Sequence, residues 1–393
     1  MLSQEHHSIA TMGCDTYGGL RQRAWVEIDL AALAHNVRQL KSLLSPKTAL
    51  MAVVKADAYG HGAIAVAQTV LQSGASWLGV ATIPEGIELR EAGIKAPILI
   101  LGATHTPEQI KAIAYWQLQP TLCSFKQALV FSETLEAISE SQPVPVHIKL
   151  DTGMSRLGEP WQQGSEFVQL VQRLPKLQIV SIYSHLATAE SIDQTVMRQQ
   201  QIYFERAIAQ IKTTGIQLPL LHLANSAATL TDPTLHYDIV RVGLAIYGLY
   251  PAVHLQSQIN LKPALQVKAR VTQVKTIPPH TGVSYGHQFI SDRELTIAVI
   301  GIGYADGVPR NLSNKMTVLI KGQRVPQIGA ITMDQLMLDV SAIPDLQAGD
   351  VITLLGQEGN ENISVDDWAS QLNTISWEIL CGFKHRLPRL AID

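Results

Sequence analysis

Between residues 49 and 246 the chain repeats one pattern, a short apolar run followed by an amphipathic stretch. The apolar runs fall around 49–55, 77–82, 97–102, 119–123, 144–151, 177–185, 218–224 and 239–246. Helical spacing occupies 61–73, 84–92, 106–116, 125–140, 161–173 and 190–214, with a shorter stretch after the seventh run. Runs apolar throughout, without alternation, read as strands buried on both faces, and parallel strands need helical crossovers between them. Eight evenly spaced units over about 200 residues fit an α/β fold of the (β/α)8 TIM-barrel type better than an open doubly wound sheet.

The flanks differ. Residues 1–22 are polar, aperiodic and carry Gly18-Gly19, which predicts a flexible tail; its His6-His7 pair is a weak metal signal at a chain end. Residues 23–29 alternate like a half-buried strand, and Leu33, Val37, Leu40 and Leu44 then follow at helical spacing up to Pro46. After Tyr250-Pro251, short β-rich segments at 264–277, 295–302, 315–320, 324–331, 335–340 and 350–355 alternate with turns such as Pro278-Pro279 and Ala348-Gly349-Asp350. The expected organisation is a tail (1–22), a barrel domain (23–258) and a smaller, mainly β domain (259–393), which the strand at 23–29 is expected to join.

Composition narrows the function classes. At 393 residues the chain is long for one core, and 46% hydrophobic against 16% charged residues describes a well-buried globular enzyme. A net charge of -3 without basic runs leaves no footprint for nucleic acid. No apolar run reaches the ~18 residues of a membrane span and no leader pattern opens the chain, so the expected location is the cytoplasm. Cys14, Cys123 and Cys381 are an odd, widely spaced set, which argues against a disulfide framework or structural zinc. No His and carboxylate set has ligand spacing, so no metal is expected.

Barrels of this kind place their chemistry at the carboxyl ends of the strands. The first run ends on Lys55, with Tyr59 and its flanking glycines close behind. A lysine leaving a buried strand is desolvated and can be neutral, the form that condenses with an aldehyde such as pyridoxal phosphate; a lysine snorkelling to water is the plainer alternative. The fifth run ends on Lys149 and Asp151, the sixth on His185, the seventh on His222 and Asn225-Ser226, and the eighth carries Arg241 and Gly243. Barrels often bind phosphate after the seventh and eighth strands, and Asn225-Ser226 with Gly243 offers hydroxyl, cap and close-approach backbone there. Arg241 lies inside an apolar strand and needs a partner: an anion, a polar ring atom, or a histidine such as His222 or His185.

Taken together, Ala52-Val53-Val54-Lys55-Ala56-Asp57-Ala58-Tyr59-Gly60-His61-Gly62, Lys149-Leu150-Asp151-Thr152-Gly153-Met154-Ser155-Arg156-Leu157-Gly158, His222-Leu223-Ala224-Asn225-Ser226, Arg241-Val242-Gly243-Leu244, Val283-Ser284-Tyr285-Gly286, Gly303-Tyr304-Ala305-Asp306-Gly307 and Met333-Asp334-Gln335 resemble the motifs of the alanine racemases. They occur in that family's order and cover nearly the whole chain after residue 23. The resemblance implies that pyridoxal 5'-phosphate is bound through Lys55, with Tyr59, Asn225, Ser226 and Gly243 helping to hold its phosphate and Leu244 also in the cofactor site. It implies Arg241 at the pyridine nitrogen with His222 behind it, and His185 among the cofactor-site residues, linked with Arg241 as the partner of Tyr285. Arg156 would lie near the phenolic oxygen and the substrate carboxylate, supported by Lys149, which is carbamylated in some relatives.

By the same resemblance Lys55 and Tyr285 are the two bases, and Tyr285, Tyr304 and Met333 reach the site from the second subunit of a homodimer. The implied reaction is the interconversion of L- and D-alanine, supplying D-alanine to the cell wall. The alternatives are a racemase of a related small amino acid such as serine, and a non-catalytic pyridoxal phosphate carrier, which lacks the second domain. Two positions depart from the family's pattern: Trp377 replaces a tyrosine whose hydroxyl meets the phosphate, and Thr332 stands where cysteine is common. Indole only donates, so the Trp377 contact is altered.

Overall fold

A computed structural model describes residues 23–392, so the tail, its histidine pair and Cys14 lie outside the described residues. The chain divides into two compact units. One holds Glu27–Leu265 together with Ser376–Cys381; the other holds Gln266–Ile375 with Gly382–Leu390 and the residues leading to Val26.

The first unit is built on eight parallel strands. In chain order they are Ala49–Val53, Trp77–Val80, Ile98–Ala103, Gln119–Leu122, Val144–Asp151, Leu177–Tyr183, Leu220–His222 and Ile239–Val242, the last pairing back with the first. Bonds from Arg241 N to Ala224 O and from Asp238 N to Leu221 O, both 3.0 Å, bring the eighth strand against the seventh. The barrel expected from the sequence is therefore present. Leu50, Met51, Ala52, Leu99, Ile100, Ile148 and Leu150 are buried, as strands covered on both faces must be.

The helices bury one face each. In Gly164–Arg173 the apolar stripe is Phe167, Val168 and Val171, at the spacing that faces one side of a helix. Burying each such side chain contributes roughly 1.5–3 kcal/mol. Thr106, Ser124 and Asn225 cap their helices by accepting from Gln109 N, Gln127 N and Ala228 N.

One strand end departs from expectation. The first strand stops at Val53, and Lys55 opens a tight turn in which Ala56, Asp57, Ala58 and Tyr59 all have φ of 53–54°. Left-handed backbone is unfavourable for residues bearing a Cβ, so four in a row must be held from outside. The hold is Glu85, whose carboxylate accepts from Ala56 N at 2.7 Å while also accepting from Ala81 N at 2.7 Å and Thr82 N at 3.0 Å.

The second unit is mainly β, as expected. Among the described residues its sheet has nine strands, and Ala24–Asp29 lies between Leu265–Ile277 and Arg389–Ile392. The early strand therefore joins the β sheet. Ile277, Val283, Leu295, Ile297, Ile328 and Met337 form a core cluster there. Strands Glu361–Ile363 and Arg389–Ile392 and helices Val365–Leu372 and Ser376–Gly382 were not expected from the sequence. Among the described residues no helix is long and apolar enough to cross a membrane, and no cluster of three His, Cys, Asp or Glu side chains could hold a metal.

Candidate active site

The barrel's chemical groups collect at the carboxyl ends of its strands. Lys55 is half-buried, and its ammonium is disfavoured first by desolvation and then by the Arg156 guanidinium, with Glu85 and the Cys381 thiol acting the other way. Its pKa is lowered, which moves the amine toward its neutral, nucleophilic form. The loop carrying Arg156 is folded by Asp151, which accepts from Gly153 N at 2.9 Å and Ser155 N at 3.1 Å. A side chain at Gly158 would strike the backbone of Asp151 at 2.8 Å, so this loop also needs its glycine.

A second cluster lies at the ends of the seventh and eighth strands. Ser226 Oγ accepts from Gly243 N at 3.0 Å, which leaves the serine hydrogen free to be donated. Tyr59 packs its ring on Tyr247 with centroids 4.9 Å apart, and Tyr247 donates to Val53 O at 2.9 Å. Burial raises the pKa of the Tyr59 hydroxyl far above its usual value, so it stays protonated and serves as a donor. Asn225, Leu244 and the start of helix Ser226–Thr231 adjoin it. The cluster offers hydroxyl and backbone donors, a set suited to a phosphate dianion.

The third group is centred on Arg241, which is nearly inaccessible. Its guanidinium donates to His222 Nδ1 at 3.0 Å, His185 Nδ1 at 3.0 Å, Ser184 O at 2.8 Å and Leu223 O at 3.1 Å. The partners left open by the sequence are thus both histidines and two carbonyls. Burial followed by the Arg241 charge pushes His222 and His185 well below the ordinary histidine range, so both rings are neutral. Tyr183 lies beneath the group, stacked on His222 at 4.6 Å, with Arg241 Cζ 5.2 Å and Lys149 Nζ 5.3 Å from its centroid. Lys149 is buried, and desolvation with the nearby Arg241 lowers it to about 8.

The remaining candidates belong to the β unit and are exposed there: Tyr285 by 73%, Met333 by 53% and Tyr304 by 42%. Tyr285 borders a hollow of about 950 Å³ that Lys275, Ser284, His287 and Met337 also line. The loops carrying Tyr304 and Met333 are stitched together by Tyr304 N to Thr332 O and Ala305 N to Met333 O, both 3.0 Å. Beneath them the buried Asp306 carboxylate receives Arg23 at 2.6 and 2.7 Å and Gly303 N at 3.0 Å. Thr332 donates its hydroxyl to Gln335 O at 2.9 Å, a turn contact of the same loop.

Sequence reasoning missed Glu85, Tyr183 and the Arg23–Asp306 pair. It also missed Ser181 and His147, which continue the hydrogen bonding beyond His222. Two signals were available. Glu85 stands three residues after Thr82, the spacing of a capping box, and His147 precedes Lys149 by two, the spacing of one strand face. Trp377, in helix Ser376–Gly382, is half-buried. The thiol of Cys381 at the far end of that helix lies within electrostatic reach of Lys55.

Comparison with known proteins agrees with this picture. The chain matches the family described as alanine racemase, N-terminal domain, over residues 28–251, and alanine racemase, C-terminal domain, over residues 264–391. It is 73% identical over 379 residues to an alanine racemase of Nostoc sp., covering 96% of this chain and 98% of that one. An alanine racemase of Synechocystis sp. is 62% identical over 95% of this chain and all of its own. Among solved structures, alanine racemase from Clostridium difficile 630 superposes with a TM-score of 0.90 at 32% identity, covering 95% of this chain and 96% of that one. Alanine racemase from Bacillus anthracis with bound L-Ala-P superposes at 0.88 and 34% identity, with 95% and 96% covered.

Proposed function

The chain belongs to the alanine racemase family and is an amino-acid racemase, an isomerase; from that premise we propose that it interconverts L- and D-alanine with pyridoxal phosphate held on Lys55, using Lys55 and the partner's Tyr285 as its two bases. The residues present fit the cofactor. Tyr59, Ser226, Gly243, Asn225 and Leu244 supply donors and close backbone for a phosphate, and Lys55 supplies an amine with a lowered pKa. When bound, pyridoxal phosphate supplies an aldehyde for the amine and a ring that draws electron density from the substrate's α-carbon.

The observation that carries the reading is the environment of Arg241. A guanidinium fixed by two neutral histidines offers its remaining hydrogens as donors and cannot accept one. Were it to face a pyridine nitrogen, it would donate to that nitrogen rather than accept from it, which would temper the electron-withdrawing chemistry that the ring supplies. Arg156 supplies a cation for the substrate carboxylate, and Lys149, with its lowered pKa, is the amine suited to carbamylation in support of Arg156.

His185 fits the second base. Arg241 holds its Nδ1 as an acceptor, so the hydrogen of the neutral ring sits on Nε2 and is available to a phenol oxygen. A donor there favours the phenolate form of the partner's Tyr285, the form that acts as a base. Exposure of Tyr285, Tyr304 and Met333 on one subunit suits their use by a second copy in a homodimer. A carrier function would leave these residues without a role. The test is α-proton exchange in deuterated water with chirality followed across small amino acids, serine included. Alanine should give fast racemisation with exchange, and a serine preference would reassign the substrate.

A further inference from the structure

The Arg241–His222 pair is one end of a longer buried chain. His222 Nε2 lies 2.7 Å from Ser181 Oγ, Ser181 Oγ lies 2.6 Å from His147 Nδ1, and His147 Nε2 lies 2.8 Å from Gln119 Oε1. Arg241, His222, Ser181, His147 and Gln119 come from the eighth, seventh, sixth, fifth and fourth barrel strands, one from each. His147 stands opposite Ser181 in register, and Tyr183 opposite His222. The histidines, the serine and the arginine are all buried.

The chemistry of the first member fixes the direction of every bond. Arginine has no acceptor, so His222 Nδ1 must carry a lone pair and Nε2 the hydrogen. Nε2 then donates to Ser181, and the serine hydrogen passes to His147 Nδ1. His147 therefore carries its own hydrogen on Nε2 and donates it to the Gln119 amide oxygen. The reverse arrangement at His147 gives Ser181 two donors and leaves its hydrogen without an acceptor in this chain.

We propose that Ser181 and His147 are positioning residues that lock His222 as the Nε2–H tautomer, while the uncharged amide of Gln119 keeps His147 from gaining a proton, so that His222 Nδ1 always accepts from Arg241 and the guanidinium keeps one orientation toward the cofactor ring. The proposal rests on the reading of Arg241 as the pyridine partner. A proton added to His147 Nδ1 turns Ser181 around, moves the hydrogen of His222 to Nδ1, and sets two donors face to face at Arg241. The end of the chain is accordingly an amide, which accepts without charge; a carboxylate of the same size would draw a proton onto His147.

The test uses the cofactor-loaded enzyme with 15N-labelled histidine and reads ring tautomers by NMR between pH 6 and 9. His222 and His147 should both be neutral with hydrogen on Nε2, and an Nδ1–H or imidazolium form of either in the unaltered protein overturns the proposal even if no variant folds. Gln119→Glu, isosteric and charged, is then compared with Gln119→Leu, which removes the acceptor without attracting a proton. Gln119→Glu should displace His222 from its tautomer and raise transamination relative to racemisation about tenfold, the scale of one lost hydrogen bond to a charged group. Gln119→Leu should leave that ratio within about twofold, and Ser181→Thr, which keeps the hydroxyl, should leave the tautomers unchanged. Equal effects of the two Gln119 variants, or none from Gln119→Glu, refute the relay. Borohydride reduction separates the two readings. If no cofactor is fixed on Lys55, the underlying assignment has failed; if it is fixed while His222 and the ratio do not respond to Gln119→Glu, the relay has failed.

Discussion

The hydroxyl of Tyr59 occupies the space that a side chain on residue 243 would need: a Cβ built on Gly243 falls 2.6 Å from Tyr59 Oη. The glycine therefore admits both the tyrosine hydroxyl and the hydrogen bond from its own N–H to Ser226. Gly243→Ala is expected to displace Tyr59 and weaken cofactor affinity about tenfold or more, corresponding to one or two lost hydrogen bonds to a charged phosphate. Tyr59→Phe should lose about as much while leaving Gly243 unstrained. Cofactor titration of the two variants and their combination checks this, and strictly additive losses would show that Tyr59 and Gly243 act separately.

Glu85 is a structural anchor for the turn that carries Lys55. Its carboxylate satisfies the backbone of Ala56, Ala81 and Thr82 together. Glu85→Ala should release the left-handed residues Ala56–Tyr59 and cost roughly 1–3 kcal/mol, the scale of losing hydrogen bonds to a charged group. Denaturant unfolding reads the stability. Turnover should fall further than stability implies, because the turn positions both Lys55 and Tyr59.

Acid should unfold this protein through its barrel histidines. Burial pushes His147 down to about 3 from an ordinary value near 6.5, and His222 is lowered in the same direction. Below pH 6.5 the unfolded chain binds protons that the folded barrel refuses, so stability falls as pH falls. His185 is lowered as well, each of the three histidines contributes a slope of about 1.4 kcal/mol per pH unit, and His147→Gln should remove about a third of their joint slope between pH 6 and 4. Unfolding curves over that range check it, and an unchanged slope would mean that His147 is protonated in the folded state.

Much of the fold was legible because strand burial and helix amphipathicity are local patterns, and the strand ends followed from them. Lys55, His222 and Arg241 were found that way. The left-handed turn at Ala56–Tyr59 was not, since its residues have no such preference and Glu85 imposes it from the first turn of helix Ile83–Glu91. Strand Arg389–Ile392 was also missed, because its partner is Ala24–Asp29 at the opposite end of the sequence. Ser181 and His147 looked like ordinary strand residues; only the register of the fifth, sixth and seventh strands brings them into line with His222.

Sharing of the site between subunits has its own test. Lys55→Ala and Tyr285→Phe protomers should each be nearly inactive, and hybrids formed on mixing should regain activity through one intact site per dimer. Demonstrated subunit exchange with activity at background would show that Lys55 and Tyr285 do not meet across an interface.

The assignment of two bases is tested most directly by α-proton exchange in Tyr285→Phe. This change keeps the ring and removes only the ionisable oxygen, so the cofactor should remain on Lys55 while racemisation falls roughly 10²-fold or more, the scale of a lost general base. In deuterated water D-alanine should still exchange its α-proton, because Lys55 removes and returns it on one face, whereas exchange from L-alanine should nearly vanish. Equal residual exchange from the two enantiomers would contradict the account and leave a single base serving both faces.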